Sequence, residues 1–220
     1  ENGNWKDLLK QKNSASDISC TAGQIPRLLG LAQASKVYRE LPIAQSEGFS
    51  NKGNEVAWGT IGNASTSEGH FFEMINAAGV MQVPLVMSVW DDEYGISVPK
   101  EYHTTKESIS EVLKGFQRDK DHKGIEIFVA NGWDYPALYD IYQKAAKIAR
   151  EQHTPVLVHV KELTQPQGHS TSGSHERYKS TERLQWEKDF DCISKMREWI
   201  LAEGYATEEE LLAIEQQAKK

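Results

Sequence analysis

Cysteine is scarce in this chain: Cys20 and Cys192 are the only two in 220 residues. Two are too few for a disulfide framework at this length, which points to a reduced, cytoplasmic setting. Cys20 has no basic group near it in sequence to form a thiolate, and Cys192 falls in a helical pattern, so neither reads as a nucleophile. No apolar run approaches the roughly 20 residues of a membrane span, and no signal peptide is visible, which sets aside a membrane partner. Positive charge is also short, with 25 Lys and Arg against 32 Asp and Glu and a net charge of −7. That balance argues against nucleic acid, whose phosphates need a basic surface. The 7 histidines nowhere take metal-ligand spacing. An initiator Met is missing as well; a start at Glu1 reads as a processed chain or a segment of a longer one.

What is present is a globular composition, 39% hydrophobic and 26% charged, able to bury a core. Residues 1–220 read as a single domain, with no internal repeat and no dividing linker. Residues 1–20 are polar and are expected to be poorly ordered. A helix is expected over 24–41, with Pro26 in its first turn. Strands are expected over 55–61, 83–89, 125–130 and 155–161, with helices over 67–79, 105–116 and 135–152 between them. Such alternation implies an α/β fold: a doubly wound, mainly parallel sheet flanked by helices. Residues 163–180 read as a surface loop. Residues 182–202 and 207–219 read as C-terminal helices, the second opened by a Thr207/Glu210 capping box.

In an open α/β sheet, ligands bind beyond the carboxyl ends of the strands. Four features fall there: Gly62-Asn63-Ala64, Asp91-Asp92-Glu93-Tyr94, Asn131-Gly132-Trp133-Asp134, and the loop around His169. Magnesium takes about six oxygens, usually only one or two of them from side chains. Asn63 and Asp92 can each give one, and a carbonyl at the Tyr94 turn a third. The helix start at Ser67-Glu68-Gly69 would present N–H groups to an anion. The same residues also suit a plain turn at Asn63 and a solvated strand end at Asp91-Asp92.

The spacing resembles the thiamine diphosphate motif, Gly-Asp-Gly followed at a distance by Asn-Asn. More closely, Gly62 to Glu73 (GNASTSEGHFFE) and Asp91 to Ser97 (DDEYGIS) resemble the alpha subunit of the decarboxylating component of 2-oxo acid dehydrogenases, of the pyruvate and branched-chain type. Gln24-Ile25-Pro26 resembles that family's preceding helix, and Gly168-His169-Ser170-Thr171-Ser172 with Arg177-Tyr178 resembles its histidine-bearing loop. The resemblance covers nearly the whole chain. It implies thiamine diphosphate and magnesium as cofactors, held by Gly62, Asn63, Ala64, Ser65, Asp92, Tyr94, Ser19 and Thr21. Asn63, Asp92 and Tyr94 would be the metal ligands. It implies His169 as the catalytic histidine, near the substrate, where an imidazole can move a proton or stabilise an oxyanion. It also implies a beta-type pyrimidine-binding domain or subunit as partner, a lipoyl-bearing acyltransferase component, a 2-oxo acid substrate and an oligomer.

Departures from the family pattern are specific. Its acidic metal ligand is Asn63 here, and its metal-binding Asn is Asp92. One carboxylate is lost and one gained, so the charge beside the metal is kept. Asp91 adds a further carboxylate, tolerable beside a diphosphate only if it points away. Ala64 replaces a Gly and narrows backbone access. Gln165 and Gln167 stand where the family has an Arg and a first His. Two other readings share these residues: a transketolase-type enzyme, and a non-catalytic module that kept the fold and lost the cofactor.

Overall fold

A computed structural model describes residues 19–41, 50–165, 168–169 and 175–219. The expectation for the N-terminal stretch therefore lies, apart from its last two residues, outside the described residues, as does Gln167. Four strands form one parallel sheet: β1 (Ala57–Gly62), β2 (Leu85–Trp90), β3 (Glu126–Asn131) and β4 (Val156–Lys161), in the order β1-β2-β4-β3. The central strands carry the continuous apolar runs LVMSV and VLVHV, and each of those residues is buried. That is the pattern of a strand covered on both faces. The edge strands are only partly buried.

Helices cover both faces, as the alternation predicts. On one face α1 (Ile25–Glu40) and α2 (Gly69–Met81) bury Ile25, Leu28 and Ala32, and Phe71, Met74, Ile75 and Ala78. The α2 set recurs at i, i+3, i+4 and i+7, one stripe of a helix. On the other face α3 (Tyr135–Gln152) presents Ala145 and Ala149 to Val86, Val156, Val158 and Val160. Asp134 starts α3 by accepting the Ala137 N–H at 3.1 Å, with Pro136 in the first turn. This gives the Asn131–Asp134 segment a capping role at the far edge of the sheet.

Two expectations are corrected. The helix over 105–116 is replaced by short turns, Thr105–Glu107, Ile109–Val112 and Leu113–Phe116. Lys106 and Glu107 have positive φ, 59° and 54°, which breaks the hydrogen-bond ladder, while Ile109 and Leu113 still reach the core. Hydroxyl side chains at 104, 105, 108 and 110 offer the backbone local alternatives to a helix. The single helix over 182–202 is split into α4 (Thr181–Asp189) and α5 (Cys192–Ala202), because Asp191 turns its carboxylate to the Ser194 N–H and opens a new helix. The final helix α6 (Glu208–Ala218) has its capping box, Thr207 and Glu210 bonding each other's backbone. Among the described residues no helix is long and apolar enough to cross a membrane.

Candidate diphosphate and metal site

Pairing continues past the ends of the strands and draws the carboxyl-end segments together. The Asn63 N–H donates to the Trp90 carbonyl at 3.0 Å, and the Asp91 N–H to the Val160 carbonyl at 2.9 Å. The Leu163 N–H returns to the Asp91 carbonyl at 3.1 Å. Asn63 and the Asp91-Asp92 turn are thereby adjacent, as their positions at successive strand ends predict.

Asn63 is 5% exposed. Its carbonyl accepts both the N–H and the hydroxyl of Thr66, which opens the short turn Ala64–Ser67 ahead of α2. Its side-chain amide nitrogen is buried without a hydrogen-bond partner. A buried, unpaired amide is costly in a finished core. Rotating the amide exchanges nitrogen for oxygen at the same place, so the side chain can present either a donor or a ligand oxygen there. The donor set fits a magnesium ion sharing diphosphate oxygens. Among the described residues no cluster of three or more His, Cys, Asp or Glu has the geometry to hold a metal.

The two carboxylates of the β2 turn have different partners. Asp91 is buried and accepts from His159 Nε2 at 2.8 Å and from the Glu93 N–H at 2.8 Å. Burial pushes its carboxyl up, but these bonds outweigh burial and hold it below the ordinary carboxylate value. The extra carboxylate of Asp91 is thus hydrogen-bonded inside the fold. Asp92 accepts the Tyr94 N–H at 3.2 Å, and burial pushes its carboxyl above the ordinary value, against the pull of the nearby Lys179 ammonium.

Gly62 ends β1 and has open space where a Cβ would stand, with only Ser65 Oγ at 3.9 Å. Ala64 instead packs on the β2 turn: a Cβ on Gly95 would meet the Ala64 Cβ at 2.7 Å. The Ala64 departure is therefore matched by a glycine at 95. We expect Gly95→Ala to lower stability by about 1–3 kcal/mol through overpacking, with Ala64→Gly recovering the loss in thermal unfolding. Ser19 and Thr21 are exposed, and the Thr21 carbonyl lies 3.3 Å from His70 Nε2 at the start of α2. That places their segment by the same helix end. Glu68 stands at the N-cap of α2 without a side-chain capping bond.

His169 is exposed, and its backbone hydrogen-bonds the Tyr178 hydroxyl. Tyr178 packs against Tyr94, with ring centroids 5.8 Å apart. His169 is thus linked through Tyr178 to Tyr94, at the same strand end as Asp92. Arg177 is exposed, while its neighbour Lys179 is buried. The polar composition of 163–180 reads as surface loop and gives no sign of this lysine and its partners. Lys179 donates to both oxygens of buried Glu187 at 2.7 and 2.9 Å, and its ammonium stands 4.9 Å from the Tyr94 ring centroid. Arg183 bonds Glu187 at 2.8 Å, the Asp92 carbonyl at 3.0 Å, and the Glu93 carboxylate, which Lys100 also pairs. The ionic i, i+4 spacing of Arg183 and Glu187 on α4 was the available signal.

A family described as the dehydrogenase E1 component matches residues 6–220 of this chain. The chain belongs to the dehydrogenase E1 component family. Among its relatives, the pyruvate dehydrogenase E1 component subunit alpha of Rickettsia bellii is 28% identical over 184 residues, 82% of this chain and 54% of the relative. The mitochondrial 2-oxoisovalerate dehydrogenase subunit alpha 1 of Arabidopsis thaliana is 28% identical over 85% of this chain and 39% of its own length. The corresponding mouse alpha subunit is 25% identical over 96% and 43%. The chain spans about half the length, or less, of these curated relatives.

In this E1 chain, acid stability depends on the cluster beside the turn. Burial pushes the Glu93 carboxyl up, but Lys100 and Arg183 outweigh it and leave it below the ordinary 4.5. A depressed carboxylate contributes stability that is present above 4.5 and is lost as pH falls through the lower folded value. Urea midpoints should therefore drop below that pH, and Arg183→Gln should flatten the drop.

Proposed function

We propose that this chain is the diphosphate- and magnesium-binding half of a thiamine diphosphate-dependent 2-oxo acid dehydrogenase. The observation that carries the reading is the buried, unpartnered side-chain amide of Asn63, on a residue whose backbone N–H is bonded to Trp90 at the end of β2, next to Asp91-Asp92. Asn63, Asp92 and the Tyr94 carbonyl would ligate magnesium, with diphosphate and water completing the shell. Gly62, Ala64 and Ser65 would line the diphosphate, with Ser19 and Thr21 nearby at the α2 end. When bound, thiamine diphosphate supplies the carbanion chemistry of decarboxylation. The chain's own work is to bind and orient it, and to hold His169 where an imidazole can move a proton to or from the substrate.

The aminopyrimidine end of the cofactor needs a second domain, so the working unit is this chain with a beta-type domain or subunit in an oligomer. The reaction is oxidative decarboxylation of a 2-oxo acid with acyl transfer to a lipoyl group on an acyltransferase component, in the cytoplasm. The named relatives, one pyruvate and two 2-oxoisovalerate dehydrogenase alpha subunits, support this class. Calorimetric titration of thiamine diphosphate with magnesium into the chain and its beta-type partner tests it: saturable binding is expected, and none at millimolar ligand would sink the enzyme reading.

A further inference from the structure

Beneath the β2 turn runs a buried polar chain to which the proposed function assigns no role. His159 sits on β4, wholly buried, level with Val89 of β2 and Val129 of β3. Its Nε2 lies 2.8 Å from Asp91 Oδ2 and its Nδ1 2.9 Å from Ser110 Oγ. Ser108 Oγ stands 3.2 Å beyond Ser110. A carboxylate only accepts, so the Nε2–H donates to Asp91. The other Asp91 oxygen takes the Glu93 N–H, and at Glu93 the backbone turns through a φ of 71°. Asp91 is therefore gripped from below by the imidazole and from behind by its own turn. Without the imidazole, Asp91 Oδ2 would lose its His159 donor in a buried position while Oδ1 kept only the Glu93 N–H, and the turn would have to move to bring that oxygen to water.

We propose that His159, supported by Ser110, is a positioning residue for the metal end of the site. By fixing Asp91 into the sheet it keeps that carboxylate away from the cation and diphosphate, and sets the adjoining peptide that carries Asp92. The inference rests on the cofactor reading above. His159 does not touch the cofactor; it acts through Asp91.

Two readouts on the chain with its beta-type partner test it: magnesium-dependent thiamine diphosphate binding by calorimetry, and hydrogen exchange of the Glu93 and Tyr94 amides. His159→Leu should weaken binding about tenfold, as loss of an outer support at a metal site does, and should speed exchange of both amides. Asp91→Asn combined with His159→Gln keeps a donor–acceptor pair without charge and should recover both. Unchanged binding and exchange in His159→Leu, or a double variant no better than the single, overturns the proposal. If the unaltered protein binds no cofactor, the proposed function fails, and the exchange data alone decide whether His159 holds the turn. Should His159→Leu not fold, Ser110→Ala deletes only the outer bond; faster exchange is expected there, and no change overturns the relay.

Discussion

Asp92→Asn should weaken magnesium-dependent thiamine diphosphate binding by at least about a hundredfold, because even an outer support of a metal ligand is worth up to about that much and Asp92 is a proposed ligand itself. With Asn63 opposite, Asp92 is the one carboxylate of the proposed ligand pair, so this change leaves two amides and no charge against a divalent cation. Adding Asn63→Asp to Asp92→Asn puts one carboxylate back on the other strand end and should recover most of the affinity. If the double variant binds no better than the single, position matters more than charge and the exchange account is wrong. The pH dependence has a set sign. Only the ionised carboxylate ligates, and burial pushes the Asp92 carboxyl up. Affinity should therefore fall on acidification, beginning at a higher pH than an ordinary carboxylate would give.

Glu187→Gln should cost about 3–5 kcal/mol in urea unfolding with an unchanged m value, the price of breaking a desolvated ion pair from one side. The Glu187 and Lys179 side chains are 2% and 1% exposed, so the lysine left behind has no water to turn to. Removing both, as Lys179→Met with Glu187→Met, should recover much of the loss, because Arg183 keeps Glu93. A cost under about 1 kcal/mol would place the pair among solvent-exposed bridges and refute its burial. The cluster also ties α4 to the Asp91–Tyr94 turn, so the same single variant should loosen Tyr178, seen as faster hydrogen exchange of its amide and that of Lys179.

Much of the fold was legible because it rests on local pattern. Mainly apolar strand runs, apolar stripes at helical spacing, and the cap at Thr207 each act within a few residues. The failures have local causes too. The segment 105–116 kept its apolar spacing but carried enough hydroxyl side chains to leave the helix, and Asp191 opened a second helix where periodicity alone ran on. The need for a glycine at 95 comes from Ala64 packing on it, a contact outside local sequence pattern.

By itself the sequence determined that successive parallel strands end in Asn63 and in Asp91-Asp92, and that a histidine loop follows the last strand. Connectivity of alternating strands and helices forces those ends to one side of the sheet. Tertiary structure alone decided which carboxylate turns inward and which side chains answer it. Asp91 meets His159, 68 positions away, Glu93 meets Arg183, 90 away, and Lys179 is buried against Glu187 inside a stretch that reads as polar. Period and propensity describe neighbours along the chain. The partner of a buried charge is set by whatever else the fold brings within hydrogen-bond reach in the absence of water.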